Sequence, residues 1–172
     1  ALADDGADLG VVVCGKQSAY IERNQPAFRA QTDEYYASLA VLPDVLDRPK
    51  DAIMKVAVYD FDSAEHGPWP ALSSFAEEAQ IALSGEHWVD VQSLGTNKGV
   101  ALRRIQRTLG ITSAQTMVFG DFLNDLELMD AAEYSFAMDN AHPLLRERAR
   151  FVAPPNTENG VVRTITAALG LP

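Results

Sequence analysis

The chain of 172 residues holds one cysteine, Cys14, and three histidines, His66, His87 and His142. A single cysteine excludes a disulfide framework and any zinc site built on several thiolates. The histidines lie far apart and show no metal-ligand spacing. No apolar run approaches the ~18 residues that a membrane-crossing helix needs. The first residues show neither a basic stretch nor an apolar signal core. These lacks make a cytoplasmic protein, away from any membrane, the default expectation. Basic residues are scarce too: 14 Lys and Arg stand against 24 Asp and Glu, a formal net charge of −10. Nucleic-acid binding usually leaves a basic footprint, and none is visible overall. A small anionic ligand stays open, because a few local cations and a metal offset a global field.

What is present is globular. The chain is 47% hydrophobic and 22% charged, enough for a core and ordinary in charge. Residues 10–15 read as a β-branched strand bounded by glycines, with Cys14 packed in it as a small hydrophobe. Residues 19–21 read as its short partner, residues 25–36 as holding a helix and residues 54–59 as a strand. Residues 70–83 fit a helix, with Leu72, Phe75, Ala76 and Ala79 on one face and Pro70 near its start. Residues 88–91 read as a strand. The rhythm then changes. Thr96 or Asn97 caps a helix over 98–109, whose apolar positions Ala101, Leu102, Ile105 and Leu109 recur every three or four residues, and Gly110 ends it. Short apolar strands at 116–119, 135–138 and 151–152 alternate with helices at 124–132, 143–150 and 161–169. Such alternation predicts an α/β fold with a parallel sheet from about residue 96, after a less regular α+β segment. The domain boundary is expected near Leu94 and Gly95. Residues 1–6 read like the end of a helix, a hint of something upstream.

Two segments carry chemistry. Val118-Phe119-Gly120-Asp121-Phe122-Leu123-Asn124-Asp125 is an apolar strand, a glycine, then acids where ligands gather in open parallel sheets. One or two carboxylates suit Mg²⁺, which keeps waters and phosphate oxygens as its other ligands. An asparagine amide donates to a phosphate oxygen. The alternative is capping, since acids in a first turn favour the helix dipole. The second segment is Gly95-Thr96-Asn97-Lys98-Gly99. A lysine at a helix N-terminus opposes the dipole, and phosphate binding is one reason for it; a solvated surface lysine is the other.

Together they resemble motifs III and IV of the haloacid dehalogenase superfamily, in its Cof-type branch. G-T-N-K-G-V-A-L resembles the branch's lysine loop, F-G-D-F-L-N-D-L-E-L-M its G-D-x-x-N-D-x-x-M, and Ser135 to Ala141 its following strand. Asn159-Gly160-Val161 resembles a later d-G-V. The resemblance is specific over residues 95–165 and looser before. It implies a Mg²⁺-dependent phosphatase of small phosphorylated metabolites such as sugar phosphates. Residues 1–94 become a substrate-specificity cap, and residues 95–172 the second half of a Rossmann-like core. Lys98 takes the role of the catalytic lysine that also meets the phosphoryl group. Asp121 becomes a metal ligand, Asp125 supports the metal or pairs with Lys98, and Asn124 binds the phosphate. The chemistry implied is phosphoryl transfer to an aspartate, then hydrolysis.

That aspartate belongs to a D-x-D-G-T motif preceding the cap, and the sequence does not contain one. Val56 to Ser63 imitates it with Asp60-Phe61-Asp62, but no Gly-Thr turn follows and too little chain separates it from Gly95. The expectation is a cap strand ending in solvated acids. Strand 116–119 would then have an open apolar edge where the nucleophile strand belongs. The isolated chain is expected to be an inactive fragment, with a missing N-terminal core segment as its partner. A phosphomutase of the same superfamily, or a non-catalytic binding module that keeps the fold, are the alternatives. Lys16, Lys55, Trp69 and His87 are cap residues with a possible view of substrate, each more simply an ordinary surface or core residue.

Overall fold

The computed structural model describes residues 8–171. The chain divides into two compact units, Ala1–Leu94 and Gly95–Pro172. The reading of residues 1–6 lies outside the described residues.

The first unit is built on one sheet with strands β1 (Leu9–Gly15), β2 (Ala19–Ile21), β3 (Leu39–Val41), β4 (Ile53–Asp60), β5 (Ala79–Gly85) and β6 (Trp88–Ser93). Their order is β3-β2-β1-β4-β6-β5, antiparallel except for the β2–β3 pair. Helices α1 (Pro26–Asp33) and α2 (Pro68–Ser73) accompany it. Alternate residues of β1 face inward, so Val12 and Cys14 join Ala19, Ile21, Phe28, Ala57 and Tyr59 in the core. Gly10 makes room for the Phe28 ring, which a Cβ there would strike.

One expectation is overturned here. Residues 70–83 are not a continuous helix: α2 ends at Ser73 and β5 begins at Ala79. The run Ala79-Gln80-Ile81-Ala82-Leu83 alternates as well as it spirals. Register pairing with β6, Ile81 opposite Val91 and Leu83 opposite Val89, decides for the strand.

The second unit carries the expected α/β layers. Strands β7 (Met117–Gly120), β8 (Tyr134–Met138) and β9 (Phe151–Ala153) form a parallel sheet in that order. Helices α3 (Lys98–Leu109), α4 (Leu126–Met129), α5 (Pro143–Arg148) and α6 (Gly160–Leu169) surround it. The core comprises Val118, Met129, Ala132, Ala137, Met138, Ala141, Leu145 and Ala153. Phe119, Phe136 and Phe151 stack across the three strands with centroids 5.2 and 5.1 Å apart. Among the described residues β7 is an edge strand, paired with β8 alone.

Helix α3 has the predicted bounds. The Asn97 side chain accepts the Val100 N–H at 2.8 Å, and Gly110 closes it at φ 67°. Its buried face differs from the apolar stripe. Ile105 and Leu109 are exposed, while Gly99 and Gln106 are buried. Gln106 is satisfied inside by donating to Thr116 Oγ1 and the Ala131 carbonyl. The helix expected at 124–132 is shorter: a 3₁₀ turn, Leu123–Asp125, leads into α4, which stops at Met129.

Candidate active site

The site grows from the end of β7. The strand stops at Gly120, and the chain turns through Asp121 into the 3₁₀ turn. That turn carries Asp125 back beneath the strand end. Gly120 permits this, since a Cβ on it would stand 2.6 Å from Asp125 Cβ. Asp125 is 5% exposed at its side chain and receives Lys98 Nζ at 2.5 Å on Oδ1. Its Oδ2 accepts the Asp121 N–H at 3.2 Å. Both carboxylate oxygens are therefore engaged.

Lys98 is the first residue of α3 and half exposed. It reaches Asp125 because the next residue, Gly99, lets α3 lie on the backbone of α4. A Cβ at position 99 would stand 2.6 Å from the Glu127 carbonyl carbon and nearer still to its oxygen. Two glycines thus set the Lys98–Asp125 pair, one beneath each partner.

Asp121 is exposed. Its Oδ2 accepts from Asn156 Nδ2 at 3.3 Å, and its carbonyl accepts the His142 N–H at 2.9 Å. Asn156 is itself held by Asn140: Asn140 Nδ2 donates to Asn156 Oδ1 at 3.0 Å, and Asn156 N–H donates to Asn140 Oδ1 at 3.1 Å. The segments after β7, β8 and β9 so converge at the C-terminal edge of the parallel sheet. Asn124 is half-buried, and among the described residues its amide makes no hydrogen bond. The sequence reading brought Lys98, Asp121, Asn124 and Asp125 forward and missed Asn156. The only cue for it was its place in the polar loop after a short strand.

Chemically, a half-exposed cation, an exposed carboxylate and an unused amide stand within one strand end. Among the described residues no cluster of three or more His, Cys, Asp or Glu is arranged to hold a metal. Asp121 offers one hard oxygen, which suits a cation that takes its other ligands from water and phosphate.

The first unit places its candidates otherwise. Lys55 Nζ is paired with Asp90 at 2.9 and 2.8 Å. His87 Nδ1 meets the Asp60 carbonyl at 2.9 Å, and Trp69 follows the start of α2. Asp60 corrects an expectation. It is not solvated but buried, accepting the Asp62 N–H at 2.8 Å, while Asp62 is exposed. It ends a strand of an antiparallel sheet. Burial pushes both the Cys14 thiol and the Tyr36 phenol up, with Cys14 donating to Tyr36 Oη at 3.5 Å. Cys14 is a core residue and no nucleophile.

A family model described as haloacid dehalogenase-like hydrolase matches residues 3–165. The chain belongs to this family. It is 29% identical over 164 residues to the 5-amino-6-(5-phospho-D-ribitylamino)uracil phosphatase YbjI of Escherichia coli, covering 94% of this chain and 60% of that protein. It is 32% identical over 104 residues to the HMP-PP phosphatase of Escherichia fergusonii, covering 60% of this chain and 38% of that one. The crystal structure of SMU.1108c from Streptococcus mutans shares the fold, with a TM-score of 0.85 at 23% identity over 95% of this chain and 62% of that chain. The chain therefore spans about 60% of the length of the Escherichia coli relative. No helix among the described residues is long and apolar enough to cross a membrane.

Proposed function

We propose that the chain is the cap and second core half of a Mg²⁺-dependent phosphatase acting on small phosphorylated metabolites. The observation that carries this is Lys98 held on buried Asp125 beside exposed Asp121 at the C-terminal edge of a parallel sheet. Residues 1–94 act as the cap and residues 95–172 as core. Two relatives named for phosphatases of small phosphorylated compounds support the substrate class.

Lys98 directs its charge at the transferring phosphoryl oxygens, where charge spreads in the transition state. Asp125 positions it and fixes the Asp121 backbone. Asn124 donates to a phosphate oxygen. Asp121 would hold Mg²⁺, which when bound neutralises charge on the phosphoryl oxygens. The attacking carboxylate comes from a further core strand lying along the free edge of β7. That free edge of β7 is the unpaired backbone such a segment would cover.

The test is phosphate release from a panel of phosphorylated sugars and nucleotide precursors, using the polypeptide that carries this sequence together with a D-x-D-bearing core segment. Turnover that needs Mg²⁺ and stops with chelator is expected. No turnover on any substrate, with both units folded by NMR, would overturn the reading.

A further inference from the structure

Asp121 is held at three points. Its N–H donates to Asp125 Oδ2 at 3.2 Å, its carbonyl accepts the His142 N–H at 2.9 Å, and its Oδ2 accepts from Asn156 Nδ2 at 3.3 Å. The first two contacts fix the backbone. Only the third acts on the carboxylate, and it leaves Oδ1 without a hydrogen bond among the described residues. An exposed aspartate otherwise samples several rotamers, and ordering it when a cation binds costs free energy.

The direction of the Asn156 amide is set from outside. A backbone N–H can only donate. The Asn156 N–H donates to Asn140 Oδ1 at 3.1 Å, so the oxygen end of the Asn140 amide faces it. The nitrogen end of Asn140 then donates to Asn156 Oδ1 at 3.0 Å. That leaves the nitrogen end of Asn156 for Asp121. One backbone N–H thus sets the polarity of two side-chain amides, and the second presents a donor to the carboxylate. The loop that carries Asn156 is pinned as well. The Glu158 and Gly160 N–H groups both donate to the Pro155 carbonyl, at 3.0 and 3.2 Å. Gly160 lies against the Pro154 carbonyl, which a Cβ there would strike. Asn159 takes φ 55°, in the left-handed region that asparagine tolerates better than most residues. Asn140 and Asn156 are both exposed, so packing does not account for their fixed arrangement.

We propose that Asn156, oriented by Asn140, is a positioning residue for Asp121: it holds Oδ2 and leaves Oδ1 for the divalent cation. This rests on the metal-binding role proposed for Asp121. Holding the carboxylate before the cation arrives removes part of the ordering cost from binding.

The decisive variant is Asn140→Asp, at a residue that bonds to Asn156 and not to Asp121. It keeps an acceptor for the Asn156 N–H but replaces the amide donor with a second acceptor. The Asn156 amide then turns over and points its oxygen at Asp121. The added negative charge alone would tighten cation binding, whereas lost positioning weakens it, so the two effects have opposite signs. In the 172-residue chain, three-bond NMR couplings report the Asp121 rotamer. One rotamer is expected in the wild type, and averaging in Asn140→Asp and Asn156→Ala with the amide spectra otherwise retained. In the polypeptide that also carries the D-x-D core segment, Mn²⁺ binding followed by EPR should weaken about tenfold or more in both variants. Asn140→Asp should cost nothing further in the Asn156→Ala background. Unchanged Asp121 couplings in both variants, or Mn²⁺ bound by Asn140→Asp as tightly as by the wild type, would overturn the positioning role. If Asp121→Asn nevertheless abolishes Mn²⁺ binding, the proposed function stands without it. Mn²⁺ binding undiminished in Asp121→Asn overturns both.

Discussion

Gly99→Ala is the sharpest single perturbation of the site. In an ordinary helix this change stabilises, since alanine has a propensity advantage of ~1 kcal/mol over glycine. Here the added Cβ would stand 2.6 Å from the Glu127 carbonyl carbon and 2.8 Å from Glu127 Cβ. Ordinary contact begins near 3.4 Å and the Glu127 carbonyl oxygen stands nearer still than its carbon, so the first turn of α3 must retreat from α4. The obstacle is backbone of α4, which cannot rotate aside as a long side chain would. Overpacking of this kind costs about 1–3 kcal/mol, and a backbone obstacle puts it in the upper half of that range, so after the propensity gain of ~1 kcal/mol the net effect is a loss of roughly 1–2 kcal/mol. The same retreat draws Lys98 away from Asp125. Both tryptophans, Trp69 and Trp88, lie in the first unit, so tryptophan fluorescence would miss the event. Urea denaturation followed by amide signals of β7 and β8 reads it directly. An unchanged or raised midpoint in Gly99→Ala would refute the close packing of α3 on α4.

Two further outcomes follow from the same contacts. Asp125→Asn keeps an acceptor for the Asp121 N–H and should cost about 1 kcal/mol or less, because Lys98 is half exposed and its ion pair is screened; Asp125→Ala also orphans that N–H and should cost about 2 kcal/mol, both read by urea midpoint. The first unit should lose stability in alkali: Cys14 and Tyr36 have folded values raised above the ordinary 9.0 and 10.0, so their contribution is complete below pH ~9 and declines as the unfolded chain deprotonates above it, and tryptophan-monitored midpoints that rise between pH 9 and 11 would contradict this.

Much of the second unit was legible because its signals are local. Asn97 and Gly110 bracket α3 by side-chain capping and a left-handed C-cap, which need no tertiary partner. Gly120 and the acids after it mark a strand end for the same reason. The helix expected over residues 70–83 failed where two periodicities overlap, and pairing with β6 is invisible to a local pattern. The buried face of α3 was misjudged because Gln106 finds partners from Thr116 and Ala131, so a polar residue lies inside while Ile105 stays outside. Asn156 was out of reach for a related reason. It lies 35 residues from Asp121 in sequence, and only the parallel sheet brings the two loops together.

The most direct measurement of the role given to Lys98 and Asp121 is kcat/KM on the best substrate from the phosphate-release panel, for the wild type, Lys98→Ala and Asp121→Asn. Each variant is first shown to be folded by its amide spectrum. Loss of a charge aimed at the transition state costs about 10²–10³-fold in rate, and a fall of that size in both variants is predicted. A folded Lys98→Ala or Asp121→Asn protein that keeps wild-type turnover would contradict it.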